Sequence, residues 1–277
     1  MKKLLLFLTA GFMVSASQAQ DLPAPSPSSK VEQVVGLTNA SIEYSRPSMK
    51  GRTIFGDLVA YDEVWRLGAN AATKFTVSTD IKIGGQNLPA GSYAVFATPS
   101  ASGAWKVVFN SVLEQWGTGN YDASKNVATV DAKAVENPTT ETFTMGFSNV
   151  GANGATITIA WENVRVDIPF SVATSEIAEK NIKEAIKKGE KLDEVYYKAA
   201  NYYLKSVGDN KQAMVHVNKG LKVSEGYKLL FLRAQIHMAM EDKAKAIKDA
   251  EKALELAKKE ESGWIPYIQG SLDKWSK

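Results

Sequence analysis

The feature that most constrains this chain is a change of texture at Ala173-Thr174-Ser175. Before it, Val, Ile, Thr and aromatic residues alternate with polar ones at residues 40–45, 74–83, 92–97, 105–109, 127–135, 142–147, 156–161 and 164–170. That period of two suits strands with one face buried and the other wet. Turn residues separate the runs: Gly84-Gly85, Pro89-Ala90-Gly91, Ser102-Gly103 and Gly151-Ala152-Asn153-Gly154. Roughly eight or nine strands with short connections and no helical pattern between them predict an antiparallel sandwich or barrel over residues 31–172. After the change the chain is rich in Ala, Lys, Glu and Leu, the composition of helices. Gly189, Gly208-Asp209-Asn210, Gly226 and Gly263 divide residues 175–277 into about five of them. Thr174 or Ser175 is expected to cap the first, with Glu176 and Glu179 in its first turn. The expected fold class is α+β as two separate domains, the second built of helical hairpin repeats.

The repeat is visible by self-alignment. Residues 196–221 match residues 230–254 at an offset of 34, falling to 33 after one extra residue near Gly208. Ala200 then matches Ala234, Tyr203 matches His237, Ala213 matches Ala246, and Gly220 matches Ala253. Small residues at these spacings let antiparallel helices approach closely, the mechanical basis of tetratricopeptide repeats. The motif is degenerate, without the terminal proline and the usual tryptophan. Residues 176–188 read as a half-repeat and residues 264–275 as a capping helix whose aromatics close the core. Such repeats present a concave face to peptides, so a protein partner is expected there.

The chain begins Met1-Lys2-Lys3, continues with an apolar run over residues 4–14 and reaches Ser17-Gln18-Ala19. These are the three parts of a secretory signal. The run is shorter than the roughly 20 residues of a membrane-spanning helix. A signal peptide is expected at residues 1–19 and a Pro/Ser-rich leader at 20–30, giving a periplasmic or extracellular mature chain without a membrane span. The sequence has no cysteine, which excludes a disulfide framework, a thiol nucleophile, a thiolate metal site and a lipid anchor at the cut. Residues 20–174 carry 11 basic and 14 acidic residues, and residues 175–277 carry 20 and 16. Neither part has the basic excess that nucleic-acid binding requires.

The densest chemistry lies in Tyr44-Ser45-Arg46-Pro47-Ser48-Met49-Lys50-Gly51-Arg52, followed by Glu63-Val64-Trp65-Arg66-Leu67-Gly68-Ala69-Asn70. Three of the chain's five arginines fall here, whereas the helical part uses lysine almost throughout. Arginine is preferred where a planar fork must grip a carboxylate, a phosphate or backbone carbonyls. Two readings follow. In one, Arg46, Lys50, Arg52 and Arg66 line an anion or sugar site, with Trp65 or Tyr44 as an apolar wall and Asn70 beside it. In the other, the arginines pair with Asp57, Asp62 and Glu63 and pin a long loop to the sheet. A second candidate is Gln115-Trp116-Gly117-Thr118-Gly119-Asn120-Tyr121-Asp122, where Trp116 and Tyr121 offer a sugar-stacking surface or simply pin their own loop.

Catalytic patterns are few. Both histidines, His216 and His237, lie in the repeat, so the β domain holds no Ser/His/Asp arrangement. There is no phosphate loop, zinc helix or dinucleotide fingerprint, and no cofactor is expected. Asp57, Asp62, Glu63 and Asp122 leave open a carboxylate pair for glycoside cleavage.

The strings Tyr44-Ser45-Arg46-Pro47, Lys50-Gly51-Arg52, Ile54-Phe55-Gly56, Trp65-Arg66-x-Gly68-Ala69-Asn70-x-Ala72-Thr73, Ala90-Gly91-x-Tyr93 and Trp116-Gly117 occur in order. Over roughly residues 25–172 the chain thereby resembles the domain of unknown function 2911 family. The resemblance implies an exported all-β domain, with a helical tail in some members, and it brings no catalytic residues to these positions. The sequence thus predicts a non-enzymatic envelope protein, with an anionic or glycan ligand at the β domain and a protein partner at the helices. A carbohydrate-active hydrolase is the alternative.

Overall fold

In the computed structural model, which describes residues 22–277, nine strands precede six helices. The expected signal peptide and cleavage site lie outside the described residues. The strands are β1 (Ser28–Val35), β2 (Thr38–Ser45), β3 (Thr73–Val77), β4 (Ile81–Ile83), β5 (Gln86–Leu88), β6 (Gly91–Thr98), β7 (Ala104–Asn110), β8 (Asn126–Gly151) and β9 (Gly154–Val172). All neighbours are antiparallel, in the order β1-β2-β3-β6-β7-β8-β9-β4-β5, which leaves the sheet open with β1 and β5 at its edges. β1 begins at Ser28, inside the segment expected as leader, and the Pro27 carbonyl accepts from the Arg46 amide at 2.9 Å.

Alternation places Ile42, Phe75, Val95, Val107 and Ile159 in one apolar core on one face of the sheet. The sheet rolls around that core. The Tyr44 hydroxyl on β2 donates to the Met145 carbonyl on β8 at 2.9 Å and accepts its amide at 3.0 Å, although three strands separate β2 from β8. The edge strand β1 correspondingly lies against β8 and β9.

Two predicted strand pairs are each one long strand. Residues 127–135 and 142–147 fuse in β8, and residues 156–161 and 164–170 fuse in β9. In β8 the buried positions are Ala128 and Val130, then Phe143 and Met145, so the phase shifts by one residue. In β9 they are Ile157, Ile159 and Trp161, then Val166, Ile168 and Phe170. Irregular pairing between Glu136 and Thr144, and the left-handed Glu162 (φ 53°), absorb the extra residues. Bulges of this kind bend a strand while keeping its apolar side inward. The predicted strand at 74–83 instead divides, because Asp80 accepts the Ala90 amide at 2.8 Å and turns the chain from β3 into β4, which pairs with β9.

The helices are α1 (Thr174–Lys188), α2 (Leu192–Tyr202), α3 (Asn210–Val223), α4 (Tyr227–Ala239), α5 (Lys243–Lys259) and α6 (Ile265–Trp275). Thr174 does not cap α1, since its hydroxyl donates to the Ala152 carbonyl in the β8–β9 turn. The sixth helix arises from a break without glycine, where Glu241 takes φ 62° and the Asp242 carboxylate accepts the Lys245 amide at 3.2 Å. Ala200, Ala213, Ala234, Ala246 and Ala253 are all buried between helices. Gly220 is the tightest point, because a Cβ there would lie 2.8 Å from Leu229 and 3.1 Å from Tyr196. Trp275 of α6 stacks on Phe231 of α4 at 6.0 Å.

Candidate functional site

Between β2 and β3 the chain leaves the sheet for residues 46–72 and closes one end of the core. Ile54, Phe55, Val59, Trp65 and Leu67 of this segment are buried in the main core. Trp65 stacks on Trp161 at 5.9 Å and meets Phe143 edge-on at 5.3 Å, while its indole N–H donates to the Gly68 carbonyl at 3.1 Å. Phe55 meets Trp105 edge-on at 5.1 Å. The ends are fastened to the sheet through Met49 to Glu141 (2.8 Å), Phe143 to Pro47 (2.9 Å) and a two-way pairing of Trp65 with Ala97 (2.7 and 2.8 Å). The Glu162 carboxylate accepts the Ile54 and Phe55 amides at 3.2 and 3.3 Å. Lys50, Leu67 and Asn70 take left-handed φ values of 51°, 57° and 60°, and at Gly68 (φ 135°) a Cβ would lie 2.9 Å from the Ser45 carbonyl oxygen. Backbone held in such conformations is strained and persists only where its surroundings over-determine it.

The arginines separate into distinct roles. Arg46 donates from Nε to the Phe143 carbonyl at 3.1 Å and from Nη2 to the Thr144 hydroxyl at 2.9 Å. Arg52 donates from Nε to the Met49 carbonyl at 2.8 Å and from Nη2 to the Ser48 carbonyl at 2.6 Å. Both therefore pin the loop, but through backbone carbonyls and a hydroxyl. Neither is among the ion pairs formed by the described residues, so the expected pairing with Asp57, Asp62 and Glu63 is not how the loop is held. Asn70 belongs to the same scaffold, donating to the Ser26 carbonyl at 3.2 Å and the Ser45 hydroxyl at 3.3 Å. Arg66 differs: its Nε is enclosed and has no hydrogen-bond partner among the described residues.

Lys50, Arg52, Trp65 and Arg66 come together around a cleft of about 340 Å³, floored by Trp161 and Val59 and flanked by Pro25 and Ser26. No residue lining it carries a carboxylate. Lys50, Arg52 and Arg66 make the lining basic, so it can receive a negative charge.

A sequence model of the family described as "Protein of unknown function (DUF2911)" matches residues 26–170, just over half of the chain. The chain belongs to the DUF2911 family. No curated protein matches it. The match begins at the cleft-lining Ser26 and ends in β9 at Phe170, so it takes in all of the sheet but the last two residues of β9 and all of the cleft lining but Pro25.

The remaining two predicted residues of the DUF2911 domain are not among those lining the cleft. Tyr121 packs on Phe96 at 4.9 Å over the outer face of the sheet, and its hydroxyl accepts from Asn126 at 2.8 Å. Trp116, on the same loop, is 75 % exposed and pairs through its backbone with Ala71. The sequence did not single out Trp161, Glu162, Pro25 or Ser26. The inward phase of 157, 159 and 161 was the available signal for Trp161, whereas Glu162 is defined by a bulge that no pattern marks.

Titratable groups outside the cleft serve the fold. Asp122 accepts the Ser124 amide at 2.8 Å, and hydrogen bonding to Ser124 holds its carboxyl below the usual carboxylate range. In the helices, Arg233 grips Asp249 with two bonds of 2.6 and 2.8 Å and reaches Asn218 at 3.2 Å, joining α3, α4 and α5. His216 stacks on Tyr203 at 5.3 Å, and burial lowers its pKa. Burial also lowers that of His237, against the opposing pull of Asp249. Among the described residues no three His, Cys, Asp or Glu side chains converge to hold a metal ion, and no helix is long and apolar enough to cross a membrane.

Proposed function

We propose that this is an exported, non-enzymatic binding protein whose β domain holds the anionic group of a small ligand or glycan against Arg66. Of the five arginines, Arg46, Arg52, Arg165 and Arg233 each satisfy their fork with protein oxygens. Arg66 is the exception, and no residue lining its cleft carries a carboxylate, while that of Glu141 is occupied by the Lys50 amide at 2.9 Å. An enclosed donor without a partner costs roughly 1–3 kcal/mol, and the Nη nitrogens of the same fork make no hydrogen bond among the described residues, so they are the donors offered to an anion. Lys50 and Arg52 also line the cleft and add positive charge to it. Hydrolysis by a carboxylate pair needs two acids about 5–10 Å apart across one cleft. The lining supplies none, and Asp122 is committed to its own turn, which favours recognition over cleavage.

The rolled sheet is read as a sandwich- or barrel-type domain and the helices as tetratricopeptide-like hairpins. A cavity of about 570 Å³ between α2 and α4, lined by Asp193, Tyr197, Lys198, Tyr227 and Lys228, supports a protein partner for them. The basic start, apolar run and Ser17-Gln18-Ala19 support export.

Titration of the chain lacking residues 1–19 with glucuronate and with inorganic phosphate at low salt tests the cleft. Saturable binding of at least one is expected, lost in Arg66→Met and retained in Arg165→Met. Binding of neither anion, or equal binding by the Arg66→Met variant, would overturn the reading.

A further inference from the structure

Trp116 makes no visible contribution to the fold, yet the loop that carries it is firmly held. Gln115, 4 % exposed, donates to the Val112 carbonyl at 2.6 Å and to Asn110 at 3.3 Å. Asn110 in turn donates to the Asp122 carbonyl at 2.9 Å, and Tyr121 anchors the far end on Phe96. A large flat ring is thus displayed to solvent on a rigid mount. It also stands beside the cleft. Trp116 pairs with Ala71, across which Cα atoms lie about 5 Å apart. Ala71 is two residues, at most about 7 Å, from the cleft-lining Ala69. The Gly117 amide contacts the carbonyl of Asn70, the residue between them, at 3.4 Å.

We infer that the ligand is an acidic glycan strand, one anionic sugar seated at Arg66 and the following rings stacked on Trp116; this rests on the cleft reading above. The C–H face of a sugar ring is apolar and packs on an indole, while its hydroxyls reach polar neighbours. Glu114, Thr118 and Asn120 provide such neighbours and are exposed. Val112 and Leu113 on the same loop are exposed as well, so a protein surface is the competing occupant, and it would not give a dependence of affinity on sugar-chain length. An anionic membrane would need lysine or arginine beside it, and residues 111–124 contain neither. A nucleic-acid strand brings dense charge to a domain with more acidic than basic residues, whereas a glycan with sparse carboxylates matches one small cationic cleft.

The test compares glucuronic acid with a tetrasaccharide made of one glucuronic acid and three neutral sugar rings, by calorimetric titration of the same chain lacking residues 1–19. The tetrasaccharide is expected to bind at least about tenfold more tightly than the monosaccharide. Trp116→Ala should remove that gain without changing monosaccharide binding, Trp116→Phe should keep part of it, and Arg66→Met should weaken both ligands. Because Trp116 is exposed, its variants should melt with the parent protein, which thermal unfolding checks. A tetrasaccharide that binds no more tightly, or whose gain survives Trp116→Ala, overturns the glycan strand and leaves the cleft reading standing. Binding of phosphate without either sugar acid, or tighter binding of a single-stranded oligonucleotide than of the tetrasaccharide, overturns it as well. Loss of every anion refutes both proposals.

Discussion

Arg46, Arg52 and Arg233 each do something that lysine would do poorly. Arg46 spans a carbonyl and a hydroxyl of β8 from the loop side, Arg52 closes the Ser48–Met49 turn with two bonds, and Arg233 chelates Asp249 across helices. A single ammonium cannot reproduce a two-pronged planar donor. Arg46→Lys should therefore cost about 1–2 kcal/mol in urea unfolding, while Arg66→Met, which removes an enclosed donor without a partner, should leave stability unchanged or raise it by up to about 1–3 kcal/mol. Equal losses in the two variants would mean that Arg66 also holds the fold. The clustering of these arginines was legible in the sequence, but their partners were not. Acidic neighbours at Asp57, Asp62 and Glu63 suggested ion pairs, whereas the bonds go to backbone carbonyls, which every residue possesses and no composition reveals.

At the scale of elements, alternation exposed the core face of almost every strand, because burial on one side dictates a period of two. It failed where the phase resets. Glu162 and the irregular stretch after Glu136 each made one bent strand read as two, and the bend is what brings Trp161 beneath the 46–72 segment. Glycine marked most helix ends but not the Glu241 turn. The pairing of Ala71 with Trp116 is distant in sequence and periodic in nothing, so the nearness of the two predicted sites emerged only in three dimensions. In the helices, the Tyr203 ring lies flat against His216, whose Nδ1 is buried without a partner among the described residues. Burial lowers the folded pKa of His216, and of His237, below the unfolded value near 6.5. Between those values the unfolded chain binds more protons, so helix stability should fall as pH drops through about 6.5 and level off below the folded pKa. Thermal midpoints at pH 7.5 and 5.5 test this. The difference should shrink in His216→Phe, and an unchanged difference would assign the effect elsewhere.

For the molecule as a whole, the passage from sheet to helices runs through Ala173, with the Thr174 hydroxyl bonded to the Ala152 carbonyl as its local fastening. Gly36 completes the joint: its φ is 58°, and a Cβ there would collide with Thr174 and the Ala152 carbonyl. The main core is drawn from residues 35–172, and the two helical cores from residues 200–272. A chain ending at Val172 should accordingly retain the sheet's cooperative unfolding, and the proposed anion affinity within about twofold, as domains with their own cores do. Circular dichroism and the same titration would reveal any dependence of the cleft on the helices.

Trp65 and Arg66 are consecutive, one locked among the core indoles and the other facing the cleft. Occupancy of the site and integrity of the sheet's sealed end are therefore energetically joined. A compound present at 100 times its dissociation constant would add about 2.7 kcal/mol to the folded state. Heating the protein beside a library of sugar acids would then reveal any that fill the proposed site as a delayed melt, without any assay of activity.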